Sequence, residues 1–216
     1  MNICSFIDAT ILNPSAGFES FELLFSDAIR FEFPAVCVPP FMVQKAKQAL
    51  NGSATKVATV VGFPTGYQTI STKILELREL IDLGAEELDY VIHRGFLAAN
   101  DFEQIEEELL AVVSISKDHL RVSKWIIEAS ELTSFQFEKC IEIANKISPD
   151  YVKTSTGVYG KADLGQVSKL RSSLNPNIKI KAAGGIGDLE TALKFIEVGS
   201  DRIGVSSYSN LVQPIQ

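Results

Sequence analysis

The 216-residue sequence sets 20 Lys and Arg against 27 Asp and Glu, a formal net charge of −7, with 46% hydrophobic and 22% charged residues. That balance excludes a disordered or collagen-like chain and argues against a general nucleic-acid binder, whose phosphate contacts need clustered Lys and Arg. Three cysteines, Cys4, Cys37 and Cys140, lack any CxxC or Cys/His spacing and suggest neither a disulfide framework nor a zinc cage. No apolar run approaches the ~20 residues of a membrane span, and the first residues lack a basic stretch followed by a long apolar one. A cytoplasmic protein without metal or membrane partner is expected.

Short apolar, β-branched runs alternate with longer segments of helical spacing. In chain order the pattern predicts strand 3–8, helix 18–30, strand 35–39, helix 41–50, strand 56–63, helix 69–83, strand 87–93 and helix 101–117. It continues with strand 121–129, helix 133–147, strand 151–155, helix 163–174, strand 178–184, helix 188–198, strand 201–207 and a helical stub at 209–213. Eight strands in 216 residues give 27 residues per unit, the size of a compact βα repeat. The expected fold is a single α/β domain over residues 1–216, a closed (β/α)8 TIM barrel with a shortened last helix, smaller than the ~250 residues typical of that fold. An open doubly wound sheet competes, but it would carry a Gly-rich turn after its first strand, where this chain has Ala9-Thr10-Ile11-Leu12-Asn13-Pro14. The Glu106-Glu107-Glu108 run reads as a solvated helix face, His119 as a surface residue, and Trp125 and Phe135 as core.

Barrel strands are covered on both sides and should be nearly continuous apolar runs, so their polar residues are informative. Asp89, Lys124, Glu128, Lys153 and Lys181 interrupt four consecutive strands, near the C-terminal ends where this architecture builds its chemistry. One buried Asp/Lys pair would be an ordinary structural feature; several lysines around one acid fit that account poorly. Two amines about 6 Å apart at an effective dielectric of about 20 repel by roughly 3 kcal/mol, or about 2 pKa units, which frees a neutral amine near neutral pH. Such an amine forms an imine with a carbonyl substrate, an electron sink for making or breaking the adjacent carbon–carbon bond. Asp89, directly or through a water, is the candidate acid and base for carbinolamine dehydration and enamine protonation. This argument is symmetric between Lys153 and Lys181. Small residues crowd the last three strand ends, in Thr154-Ser155-Thr156-Gly157, Ala183-Gly184-Gly185 and Gly204-Val205-Ser206-Ser207. The ends of strands seven and eight are the recurrent phosphate site of this barrel, so a phosphorylated substrate is expected.

With these residues in view, the chain resembles the deoxyribose-phosphate aldolase family from end to end. The likeness is carried by Asp8-Ala9-Thr10-Ile11-Leu12, Val36-Cys37-Val38, Gly62-Phe63-Pro64-Thr65-Gly66, Glu87-Leu88-Asp89-Tyr90-Val91, Lys124-Trp125-Ile126-Ile127-Glu128 and Arg202-Ile203-Gly204-Val205-Ser206-Ser207. The ordered pair Lys153-Thr154-Ser155-Thr156-Gly157 and Lys181-Ala182-Ala183-Gly184-Gly185 is the most specific part. The resemblance implies a class I aldolase of deoxyribonucleotide catabolism. It would reversibly cleave 2-deoxy-D-ribose 5-phosphate to acetaldehyde and D-glyceraldehyde 3-phosphate, with no metal or organic cofactor. It implies Lys153 as the Schiff-base lysine, Lys181 as the neighbour that lowers its pKa and joins the proton relay, and Asp89 as proton donor and acceptor. Gly157, Gly184, Gly185, Ser206 and Ser207 would hold the phosphate, and Cys37 and Thr156 would line the substrate pocket. Asp8 and Lys124 are supporting charges. Cys37 also has the plainer reading of a small packing residue.

Three departures accompany the likeness. Val158 stands where some members have a lysine, so weaker phosphate binding is expected. His93-Arg94 follows the fourth strand, read as a partly solvated strand end. The chain lacks the C-terminal tyrosine-bearing tail of some members, so tail-assisted proton transfer is not expected. Two alternatives stand beside the aldolase: a transaldolase-like Schiff-base enzyme on the same barrel, and a phosphate-sugar binding barrel without turnover. The sequence leaves open whether the chain forms a homo-oligomer.

Overall fold

The computed structural model of the chain describes residues 2–212. Its eight strands are β1 (Ile7–Thr10), β2 (Ala35–Val38), β3 (Lys56–Val61), β4 (Glu87–Val91), β5 (Val122–Ile126), β6 (Tyr151–Lys153), β7 (Lys179–Ala183) and β8 (Arg202–Val205). All pair in parallel in chain order, and β1 closes the barrel on β8 through Ile7 opposite Ile203 and Asp8 opposite Gly204. The expected TIM-barrel architecture is therefore observed. The strands hold because their outward side chains are buried beneath helices: α1 (Phe18–Arg30), α2 (Val43–Ala49), α3 (Ile70–Asp82), α4 (Arg94–Ala98), α5 (Phe102–Asp118), α6 (Ser134–Ile147), α7 (Leu164–Ser173) and α8 (Leu189–Glu197). Side chains of Thr69, Asp101, Thr133, Asp163 and Asp188 accept a backbone N–H at the first turn of α3, α5, α6, α7 and α8, which explains why those starts were readable.

The differences from expectation are local. Strand β1 begins at Ile7, because Asn2 accepts from the Cys4 amide and bends Ile3–Phe6 into a 3₁₀ turn. The region after β4 is no strand end: the His93 ring accepts from the Phe96 amide at 3.1 Å and starts α4, a five-residue helix too short for a periodicity to announce. Glu108 lies fully buried, unlike Glu107, so the acidic run is not a uniformly solvated face. Trp125 is core as expected, whereas Phe135 is exposed. The chain after β8 forms only a 3₁₀ turn, Tyr208–Asn210, so the last helix is curtailed among the described residues. Position 213 of the predicted stub and the C-terminal tail position lie outside them. No helix among the described residues is long and apolar enough to cross a membrane.

Candidate active site

Along β4, period-two alternation turns Leu88 and Tyr90 toward the helices and Glu87 and Asp89 toward the barrel interior, where both carboxylates are buried. The register sets Asp89 opposite Lys124 and Lys153 opposite Lys181. One Asp89 oxygen accepts from Lys124 Nζ at 2.8 Å; the other accepts from Lys153 Nζ at 2.7 Å and from Lys181 Nζ at 2.8 Å. Three further groups complete the cluster. Asp8 lies 2.6 Å from Lys181, 3.7 Å from Lys124 and 2.5 Å from Arg202, while Glu87 lies 2.6 Å from Lys124 and 3.8 Å from Arg202. Lys124 thus touches three carboxylates, Lys181 two and Lys153 one.

These contacts set the charge states of the interior. Burial raises the Asp89 carboxyl, but Lys124, Lys153 and Lys181 overcome it and hold the group well below the usual carboxylate range. The same contest at Asp8, with Lys181, Lys124 and Arg202 opposing burial, brings it down to about 2. Burial disfavours the ammonium of Lys181, yet Asp8 and Asp89 reverse the effect and raise its pKa; Lys124 is raised further, by Asp89, Glu87 and Asp8. Here the expectation needs correcting. Repulsion between amines does not neutralise Lys181, because Asp8 stands beside it together with Asp89, where the sequence argument counted Asp89 alone. Glu87 was the member that period two could have revealed, two residues before Asp89.

Above the cluster opens a cavity of about 500 Å³. Lys153 lines it, whereas Asp89, Lys124 and Lys181 lie beneath and are essentially inaccessible. Thr10 at the end of β1 and the loop residues Leu12 and Phe63 also line it, and sequence reasoning missed them: a lone threonine at a strand end and apolar side chains on loops carry no pattern. Thr156, Gly157, Gly184, Gly185, Ser206 and Ser207 line the cavity, with Val158 and Ile186 beside them. Glu128, two residues beyond β5, adopts a left-handed conformation and accepts from the Thr156 amide at 3.2 Å, anchoring this loop. Gly184 has φ +95°, and a Cβ there would lie 2.8 Å from both the Gly160 carbonyl oxygen and the Ser155 hydroxyl oxygen. Only glycine lets these two loops close together at that point.

Cys37 is not part of the lining. It is fully buried with Ala35, Ala58 and Val60, under Leu12 and Phe63, and burial together with Asp89 pushes its thiol up. Cys37 is a small packing residue and does not line the pocket: the strand's alternation points it into the interior, but Leu12 and Phe63 pack over it.

Comparison with known proteins agrees with this geometry. Residues 4–210 match the family model of the DeoC/LacD family aldolases. The deoxyribose-phosphate aldolase of Streptococcus equi subsp. zooepidemicus is 42% identical over 208 residues, covering 96% of this chain and 94% of that protein. The one from Brevibacillus brevis is 38% identical over 213 residues, covering 98% and 96%. Among solved structures, the tetrameric deoxyribose phosphate aldolase of Aeropyrum pernix superposes with a TM-score of 0.90 at 30% identity, over 97% of this chain and 88% of that one. An aldolase named QR15 superposes with a TM-score of 0.91 at 33% identity, over 98% and 94%. With the barrel, the lysine-lined cavity and matches spanning nearly all of its length, the chain belongs to the DeoC/LacD family of aldolases.

Proposed function

We propose that the protein is a class I deoxyribose-phosphate aldolase acting through a Schiff base on Lys153. One observation carries the choice of lysine that the sequence left open: Lys153 alone among the three lysines lines the cavity, and it alone has a single carboxylate neighbour. The ion-paired cluster joins four cations, Lys124, Lys153, Lys181 and Arg202, to three carboxylates, Asp8, Glu87 and Asp89. A neutral amine on Lys153 attacks the aldehyde carbon of the open-chain sugar, and loss of water gives an iminium. The iminium draws electrons from the C2–C3 bond as the C3 hydroxyl gives up its proton. Glyceraldehyde 3-phosphate departs, the enamine is protonated at C2, and hydrolysis releases acetaldehyde. Asp89, bonded to both Lys153 and Lys181, is the group through which those protons pass. The phosphate would take the amides and hydroxyls of Gly157, Gly184, Gly185, Ser206 and Ser207. Thr156 would border the sugar. The free thiols of Cys4, Cys37 and Cys140 fit a reducing, cytoplasmic setting.

Borohydride reduction with acetaldehyde is expected to add a two-carbon unit at Lys153, located by peptide mass mapping. An adduct on Lys181, or none, refutes the assignment. A transaldolase-like reading predicts trapping with ketone donors in place of acetaldehyde, and a binding barrel predicts a calorimetric signal with the sugar phosphate and no products. Val158, at the rim and exposed, offers a milder test. An exposed cation facing phosphate is worth up to about 1 kcal/mol, so Val158→Lys is expected to lower KM for the phosphorylated substrate by about fivefold. Kinetics on unphosphorylated 2-deoxyribose should not change.

A further inference from the structure

Outside the barrel wall lies a second buried charge cluster that the chemistry above does not use. Lys73 of α3 and Glu108 of α5 are both fully buried and meet at 2.7 Å. The Lys73 ammonium also donates to the Val91 carbonyl at 2.9 Å, and Tyr90 donates its hydroxyl to the other Glu108 oxygen at 3.2 Å. One ammonium thus ties α3 and α5 to the last residues of β4, two positions beyond Asp89. Buried charges are costly to desolvate, and hydrophobic replacements often serve stability equally well. Such a pair is informative about position.

What it positions is the β3–α3 loop, Gly62-Phe63-Pro64-Thr65-Gly66. Lys73 passes directly against Gly62, where a Cβ would come within 2.9 Å of Lys73 Cε. One turn further along α3, Glu76 accepts from the Gly62 amide at 2.8 Å, and the loop is pinched shut by the Gly66 amide on the Gly62 carbonyl at 2.7 Å. Two side chains of one helix face therefore grip the residue that precedes Phe63, and the stem of one of them is fixed at its far end by Glu108 and Val91. Phe63 itself lines the cavity and roofs the small apolar group of Ala35, Cys37, Ala58 and Val60.

We infer that Lys73 and Glu108 form an external strut that sets the height of Phe63 over the cavity, making them positioning residues for the portion of substrate beyond the imine. The inference rests on the Schiff-base reading, and it separates two steps. Acetaldehyde needs only the volume beside Lys153, so imine formation with it does not depend on the strut. The five-carbon substrate needs the Phe63 wall.

The test compares wild type, Lys73→Met/Glu108→Gln, Phe63→Ala and their combination, with thermal melts to establish that each is folded. The strut variant is expected to raise KM for 2-deoxy-D-ribose 5-phosphate cleavage by about tenfold with kcat nearly unchanged, the mark of lost binding. Its rate of borohydride-trapped acetaldehyde adduct at Lys153 should stay within about twofold of wild type. Phe63→Ala should give the same pattern, and adding the strut change to it should cost little more, because both act on one contact. Glu108→Gln alone, which leaves the Lys73–Val91 bond in place, should shift KM in the same direction by a smaller factor. It supplies the readout if the double variant does not fold. Wild-type KM in the strut variants, equal loss of trapping and cleavage, or effects that multiply with Phe63→Ala would overturn the inference. Absence of any adduct in the wild-type protein would instead overturn the Schiff-base reading beneath it.

Discussion

Lys153→Met is expected to eliminate the borohydride-trapped adduct and to lower the cleavage rate by about 10⁴-fold or more, because covalent catalysis has no substitute amine at that place. Lys181 and Lys124 are the nearest amines, but both lie beneath the cavity floor, engaged by two and three carboxylates respectively. The variant should fold. Of the interior cations, Lys153 has the fewest ionic contacts, and its loss leaves three cations with three carboxylates, so its melting temperature should stay close to that of the wild type. Lys124→Met should behave in the opposite manner: it strips Asp8, Glu87 and Asp89 of a shared partner and is expected to destabilise by about 3–5 kcal/mol. A melt and a trapping assay on the two variants separate the chemical lysine from the structural one. Equal trapping in wild type and Lys153→Met would end the proposed mechanism.

That contrast also shows where a sequence is legible. Eight strands could be read because parallel strands are covered on both faces and stay apolar throughout; the polar exceptions then pointed at Asp89, Lys124, Lys153 and Lys181, which do converge. The number of charges could not be read, because Asp8 and Arg202 stand at the two ends of the chain and meet only when β1 closes on β8. The same closure explains the misjudged pKa logic, since it brings Asp8 to Lys181, and an amine beside two acids behaves unlike one beside a single acid. Lys73 and Glu108 were invisible for another reason. On amphipathic helices with many charged positions, two charges that turn inward look like their solvated neighbours, and nothing in the spacing of α3 or α5 announces that they face each other. Cys37 was placed in the right strand and on the right face, but a loop decides whether an interior residue reaches the cavity, and loops carry no period.

Asp89→Asn should be the most damaging single substitution for rate and stability together. It leaves Lys124, Lys153, Lys181 and Arg202 facing only Asp8 and Glu87, and removes the acceptor on which Lys153 and Lys181 converge. Breaking a buried pair from one side costs about 3–5 kcal/mol, which for a chain of this size lowers the melting temperature by about 10 °C, and loss of the proton shuttle adds about 10²–10⁴-fold in rate. The pH dependence carries the sharper signature. Asp8, at about 2, and Asp89, well below its ordinary value, both have carboxyls depressed in the folded protein. The unfolded chain therefore binds protons more readily than the folded one. Their stabilisation is complete above the unfolded value near pH 4 and is lost as pH falls through the folded values, from about 4 toward 2 and below. Asparagine does not titrate, so Asp89→Asn lacks that part of the stabilisation at every pH. Melting temperatures of wild type and variant, well separated at neutral pH, should approach each other as acid protonates Asp89 in the wild type. Curves that stay parallel down to pH values near 2 would mean that Asp89 holds no depressed proton equilibrium, and with that the ion-paired interior on which Lys153 depends would have to be redrawn.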